Sequence, residues 1–142
     1  MSGPVIVDCE QGTPAWHAAR SGILTASVMD CILVDGKGEG GFGVGALTLM
    51  NELIGEQFTG EPADTFGGNR HTERGHLLEP VARDFVSQRL GITIESCGLI
   101  LNHGVGYSPD GLVGEDGLVE IKTKLPKILI DVILAEAIPK EH

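Results

Sequence analysis

Apolar residues recur along the 142-residue chain first with a helical period and then with the two-residue period of strands. Val44, Leu47, Met50, Leu53, Ile54 and Phe58 follow at three- and four-residue steps up to Thr59-Gly60, which predicts a long amphipathic helix with a glycine stop. A second such helix is expected from about Thr72 to Leu90, where Leu78, Val81, Ala82, Phe85, Val86 and Leu90 form the stripe and Gly91 ends it. Glu79 lies one residue beyond Leu78, along the edge of that stripe. Nearer the N-terminus, Thr13 and Pro14 open a short helix that Gly22 closes, with Trp16, Ala19 and Ile23 facing inward. Thr25 or Ser27 is then expected to cap a further short helix through Val28, Cys31 and Ile32, ending before Asp35-Gly36. The glycine-rich stretch from Gly36 to Gly45 fits neither phosphate-loop spacing and reads as a mobile loop.

The second half carries shorter signals. Ile92 to Ser96 and Gly98 to Asn102 read as strands. They precede a hairpin whose turn is Gly114-Glu115-Asp116-Gly117, where Asp-Gly chemistry tolerates positive φ. Beyond the turn, Leu118 to Thr123 alternates, which places Glu120 and Lys122 on one face and Val119 and Ile121 on the other. Asp110 stands between Pro109 and Gly111, where the preceding strand bends and stops. Leu125 to Ala137 is apolar nearly all round and is expected as a buried helix with Pro126 in its first turn, and Pro139 to His142 reads as the start of another. Helices, then strands, then a helix imply a mixed α+β architecture: a small central sheet flanked by helices, as a single domain over residues 1–142 that lacks its C-terminal helices.

Composition narrows the function classes. A formal net charge of -10 argues against broad nucleic-acid binding, although it says nothing of where the ten Lys and Arg lie, and a divalent metal would offset part of an acidic cleft. Three cysteines, Cys9, Cys31 and Cys97, lack Cys-x-x-Cys spacing, so neither a disulfide framework nor a zinc site is indicated. His17, His71 and His103 likewise show no ligand spacing and read as surface or packing residues. No membrane-span or signal-peptide pattern is present, and the expected location is the cytoplasm, the host's if the chain is phage-encoded.

Asp110, Glu120 and Lys122 spell P-D-x(n)-E-x-K, which resembles the active-site signature of the PD-(D/E)xK nuclease superfamily. On that motif alone, a solvated Glu and Lys pair on an exposed strand is an equal alternative. Three further blocks occur in order: Ala15-Trp-His-Ala-Ala-Arg-Ser-Gly-Ile-Leu-Thr-Ala-Ser27, Gly75 to Glu79, and Ser108-Pro-Asp-Gly-Leu112. Together they resemble the lambda-exonuclease or YqaJ-type viral recombinase family, which implies a restriction-endonuclease-like fold and a phage-type exonuclease that degrades duplex DNA from 5′ ends for recombination.

The resemblance implies catalytic roles for Asp110, Glu120, Lys122 and Glu79. Hard oxygen donors suit Mg²⁺ or Mn²⁺, with Asp110, Glu120 and the Ile121 carbonyl holding one ion and Glu79 reaching it through water or helping to hold a second. It also implies a 5′-phosphate pocket of Arg20, Thr25, Ser27 and Ser108, with Arg70 as a looser match. The plainer alternative is that Thr25 and Ser27 cap a helix and Arg20 balances a helix dipole. His76, one turn before Glu79, is a candidate to line the active site. Partners implied by the family are double-stranded DNA ends, a single-strand annealing protein and two further copies of the chain in a trimer. An inactive nuclease-fold remnant that binds DNA or a protein, and a restriction or repair endonuclease, remain as alternatives.

Overall fold

The computed structural model describes residues 3–37, 39–63 and 70–137, which include five α-helices and two small sheets. They fall into two compact units, Met1–Gly67 with Thr93–Val119 and Gly68–Ile92 with Glu120–His142. The architecture is mixed α+β, as expected.

The first unit is built on a four-stranded sheet. Strands β1 (Val5–Val7), β2 (Leu24–Thr25), β3 (Leu99–Asn102) and β4 (Val105–Tyr107) lie in the order β1-β3-β4-β2. β3 and β4 form an antiparallel hairpin whose turn residues, His103 (φ 50°) and Gly104 (φ 83°), both take the left-handed conformation of a tight two-residue turn. β1 runs antiparallel to β3, with Val7 opposite Leu99, and β2 runs parallel to β4, with Thr25 opposite Gly106. Helix α1 (Pro14–Arg20) lies against β3 and is capped by Thr13, whose hydroxyl accepts from Trp16 N. Helix α2 (Asp30–Leu33) packs on α3 (Val44–Thr59), which ends at Gly60 in the left-handed conformation that its sequence anticipates. Leu99, Cys97, Ala46, Leu49, Pro109 and the polar Thr25 are buried.

Several expectations are corrected. Ile92 to Ser96 forms no strand and contributes only a bridge between Glu95 and Leu112. The expected hairpin exists as β5 (Gly111–Val113) and β6 (Gly117–Val119), but it is short, and Glu120 to Lys122 lie beyond it. The reason is local: Pro109 has no N–H to donate and its carbonyl is taken by Gln11, so β6 runs out of partner after Val119 bonds Asp110 N. Thr25 and Ser27 cap nothing. The turn of 3₁₀ helix at Ala26–Val28 has no side-chain cap. Around the Gly36–Gly45 stretch, Gly36 N donates to Gly41 O at 2.8 Å and a bridge joins Asp35 and Phe42. On α3 the expected inward stripe faces out, since Val44 and Phe58 are exposed while Ala46 and Leu49 are buried.

The second unit contains α4 (Arg70–Leu90) and α5 (Pro126–Ala135). α4 turns only part of its expected stripe outward: Val81, Phe85 and Leu90 are exposed, whereas Leu78, Ala82 and Val86 are half-buried, beside Arg74, Glu79 and Arg83. Polar partners hold that face, with Arg74 Nη2 donating to Lys124 O at 3.0 Å and Arg83 paired with Glu79. α5 begins at Pro126 as expected, but it buries no residue, so the expectation of a buried helix fails. The helix expected from Pro139 lies outside the described residues.

Candidate active site

Two groups of sequence-predicted residues are described, one in each unit. The first grows from α1 and from the C-terminal ends of the parallel strands β2 and β4, the end of a parallel pair where ligands usually bind. Arg20 ends α1, Thr25 ends β2, Ser27 follows two residues later, and Ser108 directly follows β4. Arg20 Nη2 donates to Thr25 Oγ1 at 3.2 Å and to Ser27 Oγ at 2.9 Å, and the two hydroxyls lie 3.0 Å apart. Both Thr25 and Ser27 therefore serve Arg20 and not a helix end.

Trp16, read from sequence as a core residue, organises this group. Its ring carries the Arg20 guanidinium carbon 4.1 Å from the centroid, a cation–π arrangement. Its indole N–H donates to Ser108 Oγ at 3.0 Å and to Gly98 O at 3.1 Å. Trp16 thus touches Arg20 and Ser108 directly, and Arg20 in turn holds Thr25 and Ser27. Gln11 continues the frame, with Nε2 donating to Cys97 O at 2.7 Å and to Pro109 O at 2.8 Å. Pro109 is fully buried, and Asp110 N donates to Val119 O at 3.0 Å, so the backbone on both sides of the Asp110 carboxylate is fixed. Sequence reading did not name Gln11. Its only signal is its place four residues upstream of the Ala15-Trp16 block.

The electrostatics of the group point to an anion. Burial lowers the pKa of Arg20 from its ordinary value. Among the described residues no carboxylate forms an ion pair with it. A half-buried guanidinium without a counter-charge is costly, and an arriving anion relieves that cost. Hydroxyl protons remain to complete the site: Ser108 accepts from Trp16 and keeps its own proton to donate, and the Thr25 and Ser27 pair uses only one of its two between them.

The second group lies in the other unit. Lys122 Nζ donates to Glu120 Oε1, so the pair predicted to share a strand face does meet, although outside the strand. Glu79 on α4 accepts from Arg83 one turn later, a residue that sequence reading did not name. A Cβ built at Gly75 would lie 3.9 Å from Thr123 Oγ1, so this side of α4 faces the segment that follows Lys122, and Glu79 stands one turn further along the same side. His76 is exposed. The side chain of Arg70 lies outside the described residues. Asp110 belongs to the first unit and Glu79, Glu120, Ile121 and Lys122 to the second. Among the described residues, neither unit by itself gathers three His, Cys, Asp or Glu side chains into an ion-sized cluster.

Comparison with known proteins adds two findings. Residues 15–142 match the profile of the YqaJ-like viral recombinase domain. Two solved structures superpose with a TM-score of 0.72 at 34% identity, one an alkaline exonuclease, LHK-Exo, from Laribacter hongkongensis and the other LHK-Exo in complex with dAMP. Each alignment covers 91% of this chain and 62% of the solved one, so the chain spans 62% of the length of those structures. No curated protein matches.

Proposed function

The chain belongs to the YqaJ-like viral recombinase family, and on that premise we propose that it is a divalent-metal-dependent exonuclease that trims duplex DNA from 5′ ends and leaves single strands for recombination. The observation that carries this reading is the Arg20 site: a half-buried guanidinium without an ion-pair partner among the described residues, seated on an indole and flanked by hydroxyls. That set suits a terminal phosphate monoester, which presents several acceptor oxygens and more charge than an internal phosphodiester. The relative crystallised with dAMP binds a deoxynucleoside monophosphate, the class of product that stepwise trimming from an end releases. The site also answers the net charge of -10, because recognition of an end needs one well-placed cation and not a basic surface.

In this reading Arg20 grips the 5′ phosphate, Thr25, Ser27 and Ser108 donate to its remaining oxygens, and Trp16 keeps Arg20 and Ser108 in register. Asp110, Glu120 and the Ile121 carbonyl are all hard oxygen donors, so by donor chemistry they fit Mg²⁺ or Mn²⁺ and reject softer metals. An ion held by them would supply Lewis-acid stabilisation of the phosphodiester and a more acidic bound water. Lys122 orients the attacking water or stabilises the charge that develops on phosphate, and Glu79 would reach the ion through water or help to hold a second.

Linear and circular duplex DNA, each incubated with the protein in Mg²⁺, Ca²⁺ or chelator, test the proposal. Digestion of linear DNA alone, in Mg²⁺ and not in chelator, is expected. Cleavage of circles would replace it with an endonuclease, and binding without products in every condition would replace it with an inactive fold.

A further inference from the structure

The segment between Arg20 and Thr25 is fastened at a single residue. Gly22 is buried and left-handed (φ 69°), and both of its backbone polar groups are held by consecutive residues in the last turns of α3. Glu56 Oε2 accepts from Gly22 N at 2.6 Å, and Gln57 Nε2 donates to Gly22 O at 2.9 Å. The fit is tight, since a Cβ at Gly22 would lie 2.4 Å from Gln57 Cγ. The second carboxylate oxygen of Glu56 accepts from Ala63 N at 2.9 Å, which ties the turn after α3 to the same anchor.

The clamp matters because of what Gly22 connects. Two residues before it, Arg20 leaves α1; three residues after it, Thr25 ends β2. Ile23 N donates to Arg20 O at 3.1 Å, so the connection is one compact turn. Neither Arg20 nor Thr25 can shift along its element unless Gly22 moves, and Gly22 is fixed by a charge-assisted bond and a neutral one from a third element. A bidentate anion site tolerates little misplacement, as an error of about 1 Å at a reacting or binding group can cost about 10²-fold.

We infer that Glu56 and Gln57 are positioning residues that hold the Arg20, Thr25 and Ser27 constellation at the spacing a terminal phosphate requires. They touch no substrate and act through Gly22. The inference rests on the phosphate-pocket reading of the preceding subsection.

The test measures binding of a blunt duplex oligonucleotide with either a 5′ phosphate or a 5′ hydroxyl, in Ca²⁺, by fluorescence anisotropy. Wild type, Arg20→Ala, Gln57→Ala and Glu56→Gln are compared, with circular dichroism to confirm folding. Gln57 is exposed and helical, so Gln57→Ala keeps the fold even where Glu56→Gln does not. The expected result is a wild-type preference for phosphate that Arg20→Ala abolishes and that each clamp variant cuts by roughly three- to tenfold, with hydroxyl-end affinity unchanged. A preserved preference in the folded clamp variants overturns the positioning role and leaves the pocket standing. A wild-type protein with no preference overturns the pocket itself, and the clamp with it.

Discussion

Trp16 donates its indole N–H to the hydroxyl of Ser108, 3.0 Å away and 92 positions later in the chain. The same ring lies beneath Arg20, so one residue of α1 joins the two sequence blocks from which a phosphate site was expected. Removing the indole tests how far the site depends on that link. Trp16→Phe keeps a ring under Arg20 and loses the bonds to Ser108 and Gly98, at an expected cost of about 1–2 kcal/mol in a denaturant melt. Trp16→Ala loses both functions, and about 3 kcal/mol is expected. Preference for 5′-phosphorylated ends should survive in the Phe variant in weakened form and vanish in the Ala variant; equal preferences in the two would show that the ring beneath Arg20 contributes nothing to it.

How much of this could be read from the sequence depends on whether the determinant is local. α3 ends where the glycine signal places it, because caps are decided within a few positions; the turn after Val113 covers residues 114–116 of the expected four, with positive φ at Gly114, while Gly117 of the expected Asp-Gly pair already opens β6. β1 and β2 have three and two residues, too few for any period to show, and β2 instead resembled a helix cap. The apolar stripes of α3 and α4 marked helices correctly, but burial mostly wrongly on α3 and only in part on α4, where Leu78, Ala82 and Val86 are half-buried. The half-buried residues of α4 also include Arg74, which bonds the Lys124 carbonyl, and the Glu79–Arg83 pair, contacts that hydrophobicity does not encode. In the candidate site, Arg20, Thr25 and Ser27 were visible as a short block, whereas the partners of Trp16 lie 82 and 92 residues away.

Two glycines should respond to alanine with opposite signs. At Gly98, which precedes β3, an added Cβ would meet Cys9 O at 2.2 Å, Cys9 Sγ at 2.7 Å and Val7 O at 2.8 Å, and two of these are backbone atoms that cannot swing aside. Gly98→Ala must push β1 away from β3 and disturb the carbonyl that Trp16 uses, and a loss of about 2–3 kcal/mol is expected. Gly55 is interior to α3, and nothing lies within 4 Å of its Cβ position. Gly55→Ala should therefore stabilise by about 0.5–1 kcal/mol. Chemical denaturation of both variants beside wild type decides the matter, and a stable Gly98→Ala protein would disprove the close β1 approach.

Alkaline pH should weaken the first unit through Cys97. This thiol is buried, and its pKa is raised above the ordinary 9.0, first by desolvation and then by the neighbouring Cys9. Below the unfolded-state pKa both states keep the proton and the stabilisation is complete. As pH climbs past that value the unfolded chain releases the proton while the folded one retains it, so stability falls until the folded pKa is passed. Melting temperatures of wild type and Cys97→Ala between pH 7 and pH 10 should diverge in slope, with the variant flatter. Parallel curves would show that Cys97 does not titrate differently on folding.

Lys122 allows chemistry to be separated from structure, because its structural contribution is small. Its pair with Glu120 is half-exposed on both sides, and a solvent-screened pair of that kind contributes about 0–1 kcal/mol. Lys122→Ala should therefore melt close to wild type and bind duplex ends as before. If Lys122 orients the nucleophile or stabilises the charge developing on phosphate, the same variant should lose cleavage by at least ~10² in rate. The two expectations differ by about 2–3 kcal/mol in what the same side chain contributes, one to folding and the other to the transition state. Single-turnover cleavage of a 5′-phosphorylated duplex at saturating enzyme isolates the second from any change in binding. Unchanged turnover would remove Lys122 from the mechanism and leave its contact with Glu120 as a surface ion pair.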